Sequence, residues 1–208
     1  MNTNVERTTY LKLALLCLGL VSALSTMSAK ADTVTAVSNL NQPGTPGNAF
    51  GSNGFTTGDG PGWFLENLQV SLFRNTSAGS GSDDVTMSLF QDSTLLGQST
   101  LSISSTTPTA YAFSFTTPII LDPNTTYTLS RSGANTFWTY TDSQSEDSGG
   151  LPGWSIGAMQ GNALAGNAAF KFAVDVAPVP LPAAAWLFGS ALLGVVGLGY
   201  RNRKQSAA

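Results

Sequence analysis

Three acidic side chains in one short polar segment have the chemistry of a metal ligand set. Asp142, Glu146 and Asp147 lie in a run rich in Ser and Gly, and Ca²⁺ prefers carboxylate oxygens on a flexible loop. The spacing lacks the alternation of an EF-hand, and Asp83 with Asp84 is a second candidate. We expect no cofactor beyond this candidate Ca²⁺ site, and the alternative interpretation is a solvated acidic loop that aids solubility.

Aromatic side chains are the second group whose type suggests binding. Trp63, Trp138 and Trp154, together with Tyr140, offer flat apolar faces with a polar edge, which stack on sugar rings. Trp63 and Trp154 each follow a Pro-Gly pair, so both are expected at strand starts near loops. The sequence therefore suggests a glycan platform, with closure of the ends of a hydrophobic core as the alternative.

The absence of histidine restricts catalysis. The 208-residue chain has no histidine and one cysteine, Cys17, which excludes histidine-based triads and structural zinc sites. No pair of acids has a context that singles it out for glycosidase chemistry. We therefore expect no enzymatic activity, and a glycoside hydrolase-like enzyme is the third alternative for function.

The charge distribution excludes one class of partner. Residues 32–177 contain three basic and eleven acidic residues, a balance of 3 − 11 = −8. Nucleic-acid binding needs clustered Lys and Arg. We therefore expect no nucleic-acid partner for this region.

The N-terminus has the three parts of a secretory signal. Arg7 and Lys12 precede an apolar stretch over residues 13–24, and Ala29 and Ala31 are small residues at the positions that signal peptidase reads. The sequence predicts a signal peptide over residues 1–31 that is cleaved after Ala31.

The C-terminus has the pattern of a membrane anchor. Residues 183–200 contain no charge and are followed by Arg201, Arg203 and Lys204. A helix of this length reaches about 27 Å, close to the thickness of the hydrocarbon core. The basic residues act as a stop-transfer signal and keep the C-terminus cytoplasmic. The alternative for this segment is a buried core helix.

The four residues before this segment, with its first residue, complete a recognisable three-part pattern. They are Val179, Pro180, Leu181, Pro182 and Ala183. With the helix and the basic terminus, they resemble the VPLPA form of the PEP-CTERM sorting signal, with Leu181 where the usual motif has Glu. The resemblance implies an exosortase-like membrane protease that removes the helix, and a mature protein at the cell envelope or in the extracellular matrix of a Gram-negative bacterium.

The region between the two ends is expected to be all-β. Apolar and polar residues alternate over residues 68–72, 84–89, 111–115 and 170–176, which is typical of half-buried strands. Gly, Pro, Asn and Ser clusters separate these segments and indicate turns. The pattern predicts an antiparallel β-sandwich, jelly-roll-like, of roughly eight or nine strands.

Two charged residues conflict with this alternation. Glu66 has the parity of the inward-facing Leu68, Val70 and Leu72, just as Arg131 has that of Tyr127. A buried charge is costly unless it is paired. The sequence therefore suggests either a Glu66–Arg131 pair or a bulge that changes the strand register.

These patterns divide the chain into residues 1–31, a domain over 32–177, and a sorting signal over 178–208. The domain also resembles the choice-of-anchor sandwich domains found before such signals, through its strands and the segment over residues 121–127. That resemblance implies no catalytic residues. We expect an exported structural or adhesive protein of the cell surface or extracellular matrix, with a carbohydrate-binding module of the envelope or biofilm matrix as the alternative. The expected partners are signal peptidase, the secretion channel, the exosortase-like protease, the membrane and, under the alternative, a polysaccharide.

Overall fold

The computed structural model describes residues 32–47, 51–75, 77, 81–160 and 168–179. The predicted signal peptide, the predicted membrane helix over 183–200 and the basic residues Arg201, Arg203 and Lys204 lie outside the described residues. So do Pro180, Leu181, Pro182 and Ala183 of the predicted sorting motif. Val179 is the last residue described.

The described residues form thirteen strands, nine of them five residues or longer. In chain order they are β1 (Val34–Ser38), β2 (Thr45–Pro46), β3 (Ser52–Thr56), β4 (Trp63–Arg74), β5 (Asp83–Gln91), β6 (Thr94–Ile103), β7 (Thr109–Phe113), β8 (Ile119–Leu121), β9 (Thr126–Ser132), β10 (Thr136–Thr141), β11 (Ser155–Ile156), β12 (Ala169–Phe170) and β13 (Phe172–Pro178).

The strands are arranged in two antiparallel sheets. The larger sheet has the order β1-β13-β4-β10-β12, with β7 and β8 pairing to β4 and β2 pairing to β10. The smaller sheet has the order β11-β3-β9-β5-β6. The predicted all-β class is confirmed, and the two sheets are consistent with a β-sandwich.

The core lies between the sheets and contains the residues that the alternation placed inward. Leu68, Val70 and Leu72 of β4 are buried, as are Val85 and Met87 of β5. Phe55 of the smaller sheet packs against Phe172 of the larger one, with ring centroids 6.2 Å apart. Each such side chain contributes about 1.5–3 kcal/mol through removal from water, so the alternating pattern supplies the main stabilisation of the two-sheet arrangement.

A register shift in β4 explains the position of Glu66. Asp175 of β13 pairs with Asn67, and the next residue, Val176, pairs with Leu65. Glu66 is therefore the extra residue of a bulge, and it is only half-buried. The bulge changes the parity of the strand, so that Leu65 and Leu68 both point into the core.

Arg131, the other residue of the suggested pair, donates hydrogen bonds to residues near its own strand. Its Nη1 donates to the Gly133 carbonyl at 3.3 Å and to Thr136 Oγ1 at 2.6 Å. Of the two interpretations for Glu66, the structure therefore has the bulge.

The last strand, β13, differs from the one-sided strand that the sequence suggests. Its alternate residues Ala173, Asp175 and Ala177 are buried along with the inward-facing ones. The reason is position, because β13 lies between β1 and β4 and its small outward side chains are covered by longer neighbours. Residues Ala31–Val179 group into one compact unit by their contacts.

Candidate functional site

Trp138, on β10, packs inside the core. It is fully buried, its indole ring stacks on Phe170 with centroids 4.3 Å apart, and its Nε1 donates to the Lys171 carbonyl at 2.9 Å. A ring held in this way stabilises the contact between β10 and the chain around β12, and it presents no face to solvent.

The other two tryptophans contact each other at the end of the core. Trp154 is buried and stacks on Phe55 at 6.0 Å, with the two rings nearly parallel. Trp63 is half-buried and meets Trp154 edge-on at 6.4 Å. The three indoles therefore do not form one exposed flat surface. Their arrangement favours the interpretation that they close the ends of the core. It is less consistent with a glycan platform.

Two of the three carboxylates of the acidic segment accept hydrogen bonds from other parts of the fold. Asp147 accepts bonds from Ser38 Oγ at 2.7 Å, from the Asn41 backbone N–H at 3.1 Å and from Gln42 Nε2 at 3.2 Å. Glu146 accepts a bond from the Ile156 backbone N–H at 3.1 Å. These contacts attach the acidic segment to β1, to the residues that follow it and to β11.

Asp142 is exposed, and the described residues contain no group of three or more acidic, cysteine or histidine side chains arranged to hold a metal ion. Asp147 already accepts three bonds, which occupy most of the oxygen lone pairs that a cation would use. The hydrogen bonds of Asp147 and Glu146 thus give both carboxylates a structural role, which is to attach the loop to the sandwich.

The second acidic pair, Asp83 and Asp84, lies at the start of β5. Asp83 forms a salt bridge with Arg74 Nε and accepts a bond from Asn135 Nδ2 at 3.2 Å. The hydrogen bond from Arg74, followed by that from Asn135, lowers the pKa of Asp83 below its usual value. Asp84 accepts a bond from Ser102 on the neighbouring strand. Because β4 and β5 belong to different sheets, the Arg74–Asp83 pair joins the two sheets.

Two buried asparagines form a cluster that the sequence analysis did not single out. Asn39 Nδ2 donates to the Phe170 carbonyl at 3.0 Å, and Asn39 Oδ1 accepts from the Phe172 N–H at 2.8 Å. Asn53 Oδ1 accepts from the Phe170 N–H at 3.2 Å. Both asparagines are fully buried, so their amides replace strand partners where β12 passes into β13. Neither residue lies in a sequence pattern that distinguishes it from turn-forming asparagines such as Asn41.

A cleft of about 350 Å³ lies beside β1 on the outer side of the larger sheet. Its lining includes Thr35, Asn41, Gln69 and Ala173, together with residues 147–150. Thr35 Oγ1 and Gln69 Nε2 both donate to the buried Asp175, at 2.6 and 2.8 Å. The polar groups nearest β13 are thus engaged in holding its one carboxylate, which must be hydrogen-bonded to be buried.

The route of β13 leads towards the predicted sorting motif. This strand pairs with β4 from Phe172 to Pro178 and with β1 from Val176 to Ala173. It ends one residue before Val179. Val34 at the start of β1 pairs with Val176 near the end of β13, so the first and last described strands have their outer ends at the same end of the sandwich.

Two comparisons with known proteins gave no match. No family model matches the chain, and no curated protein matches it significantly. Among the residues that the structure describes, there is no helix long and apolar enough to cross a membrane.

Proposed function

We propose that this chain is an exported structural or adhesive protein of the cell surface or extracellular matrix, processed at both ends. In this proposal signal peptidase removes residues 1–31 during passage through the secretion channel. The membrane helix over 183–200 then holds the precursor until an exosortase-like protease acts on residues 179–183. The exported sandwich is jelly-roll-like and of the choice-of-anchor type, and it has no catalytic role.

The single observation that carries the proposal is the position of β13. It is buried from Phe172 to Ala177, pairs with β4 along its whole length and with β1 over Ala173–Val176, and ends at Pro178, directly before Val179. A protein retained or released at residues 179–183 would therefore be attached through a strand in the interior of its sheet. Peeling away an edge strand would not detach it.

Two features of the domain give additional support. Several connections cross between the two sheets, as from β3 to β4, from β4 to β5 and from β9 to β10. Side chains that could bind a ligand make contacts within the fold instead. Trp138 stacks on Phe170, and Asp147 accepts a hydrogen bond from Ser38. Because the ring faces of Trp138 and Trp154 are covered, the structure favours a structural role over a carbohydrate-binding role that uses these tryptophans.

The test is the intact mass and the location of the protein in a Gram-negative host that has an exosortase. We expect the surface or matrix fraction to contain a chain that lacks residues 1–31 and the segment after the sorting motif. The variant in which Pro180 and Pro182 are both replaced by Ala removes the rigid extended motif. It should accumulate in the membrane fraction with its C-terminal segment attached.

The matched control is Pro152→Ala, which changes a proline in an exposed loop of the domain and should be processed like the wild type. A wild-type chain recovered from the cytoplasm with both ends intact would refute the proposal. So would equal processing of the wild type and the double proline variant.

A further inference from the structure

The chain leaves the sandwich beside an apolar surface. Ile120 of β8 pairs with Phe64 of β4, and Phe64 pairs with Ala177 near the end of β13. Paired residues share a face, and here it is the outer face of the larger sheet, because the next residues, Leu121 and Leu65, point into the core. Ile120 is 53% exposed and Phe64 is half-buried. Apolar side chains therefore remain accessible next to the point where β13 ends.

Val179 belongs to the same surface. It follows β13 directly and is half-buried. A Cβ atom added to Gly62 would lie 3.7 Å from Ile120 Cγ2 and 3.9 Å from Val179 Cγ2, so these two side chains flank Gly62. We call the surface formed by Phe64, Ile120 and Val179 the exit surface. Val179 is thus both the last described residue of the domain and the first residue of the predicted sorting motif.

The motif is too short to keep a bound protease away from this surface. From Val179 to Ala183 an extended chain spans at most about 14 Å, and Pro180 and Pro182 favour the extended form. A standard protein interface covers about 800 Å² on each partner and is thus roughly 30 Å across. A protein that binds the whole motif, Val179 included, must therefore also meet the side chains that flank Val179.

We propose that the exit surface is a second contact site for the exosortase-like protease, which packs on Ile120 and Phe64 while it binds residues 179–183. The inference rests on the proposed export and processing. It adds that the folded domain, and not only the motif, determines how fast the chain is processed. The attraction comes from the exposed parts of Ile120 and Phe64, because removal of apolar surface from water stabilises an interface.

Charge favours a protein over a lipid surface as the occupant. Asp122 is two residues from Ile120, Asp59 lies in the loop that leads to Gly62, and both are exposed. Asp59 accepts a hydrogen bond from Asn124 Nδ2 at 2.8 Å, which links the two loops that carry these acids. Anionic lipid headgroups would repel both carboxylates, whereas a protease can place basic or hydrogen-bonding groups opposite them.

The first experiment measures the rate of processing in a Gram-negative host that has an exosortase, with an epitope tag after Ala208 that marks the precursor. We expect Ile120→Lys to be processed several-fold more slowly than the wild type, because a charge placed in an apolar contact loses its water. The matched control is Ala110→Lys, which should be processed like the wild type. Ala110 is exposed on the same outer face, opposite Ser71 of β4, and about 20 Å along that strand from Phe64. Equal rates for the two lysine variants would overturn the proposal.

A spacer tests whether Ile120 acts through this contact. Ten Gly and Ser residues inserted between Pro178 and Val179 have a mean end-to-end distance of about 17 Å, which separates the motif from the exit surface. With the spacer, we expect the wild type and Ile120→Lys to be processed at the same rate. A variant that stays slower with the spacer is defective in folding or export, and this result would refute the contact.

Cross-linking identifies the occupant directly. The photoreactive residue p-benzoylphenylalanine is placed at residue 120 or at residue 110, and the exosortase of the host carries an affinity tag. Irradiation should join the tagged protease to the chain labelled at residue 120, with several-fold less product from residue 110. Products with lipid alone, or equal products at both positions, would show that the protease does not occupy the exit surface.

The results separate this inference from the export proposal on which it rests. A wild-type chain that is never processed refutes both. Normal processing of the wild type, with a block in the double proline variant and no effect of Ile120→Lys, retains the export proposal and refutes only the second contact site.

Discussion

Replacing the buried amide of Asn39 is expected to cause a large loss of stability. In the variant Asn39→Ala, the Phe172 N–H loses its acceptor at 2.8 Å and the Phe170 carbonyl loses its donor at 3.0 Å. Asn39 is fully buried, so water cannot replace either bond unless the sheet opens. Each buried group left without a partner costs about 1–3 kcal/mol. The variant should therefore lose about 2–6 kcal/mol of its free energy of unfolding.

This loss is large compared with the total stability of a domain, which is about 5–15 kcal/mol. For a domain of this size, each kcal/mol lowers the melting temperature by about 2–4 °C, so a loss near the middle of the range predicts a decrease of roughly 8–16 °C. Differential scanning calorimetry of the wild type and the variant measures it directly. Urea unfolding at room temperature gives the free energy independently.

The control is Asn41→Ala, two residues further along the chain at an exposed position. Surface substitutions of this kind change stability by about 0.5 kcal/mol or less. If Asn39→Ala melts within the range of this control, the amide does not supply the strand connections to Phe170 and Phe172, and the account of how β12 and β13 are held is wrong.

Three further predictions concern titratable groups. Because Arg74 lowers the pKa of Asp83 below its usual value of 3.8, this carboxylate stabilises the fold above that pH, and the stabilisation is lost as the pH falls through the lowered pKa. Asp83→Asn should therefore unfold at a lower urea concentration than the wild type at neutral pH but not in strong acid. Asp92→Asn, at an exposed turn, should match the wild type at every pH. A difference between Asp83→Asn and the wild type that is the same at every pH would contradict the prediction. Burial raises the pKa of Tyr127 above 10, so its contribution is complete below pH 10 and is lost as the pH rises through the raised value. In Tyr127→Phe, the free energy of unfolding should therefore decrease less steeply than in the wild type as the pH rises in the alkaline range. An equal decrease in both proteins would contradict the raised pKa. Asp147→Ala, which removes three hydrogen bonds, should lower the melting temperature equally in Ca²⁺ and in EGTA, whereas a Ca²⁺-dependent rise that only the wild type shows would establish an ion site.

Local pattern was sufficient to predict much of the fold. The alternation over residues 68–72 and 84–89 correctly placed Leu68 and Val85 in the core, because every second residue of a strand shares a face. Clusters of Gly, Pro, Asn and Ser were predicted to form turns, and Pro123 and Asn124 lie in one. Asn124 there has a φ of 50°, which asparagine tolerates better than most residues. The conflict at Glu66 indicated either an ion pair or a bulge, since a charge at an inward position is costly, and the structure has the bulge.

Other features required the packing of the two sheets. The sequence left open whether Trp138 binds a ligand or closes the core, since an indole serves either purpose. Its stacking on Phe170 comes from pairing β10 with β12. Likewise, the acidic segment at residues 142–147 looked like a flexible carboxylate loop, and only the approach of Ser38 to Asp147 shows that the loop is attached.

The sequence by itself determined the all-β class, the strands with clear alternation such as residues 68–72 and 84–89, and the acidic charge of the domain, because each depends on residue types or on residues close together in the chain. It also predicts targeting signals at both ends. The tertiary structure decided which polar side chains are buried and which side chains lie beside Val179. Asn39 and its partners Phe170 and Phe172 are more than 130 positions apart, and no local pattern encodes that separation. The position of Ile120 beside the end of β13 is likewise a property of strand order, which is set by the contacts between distant segments that bury the most apolar surface.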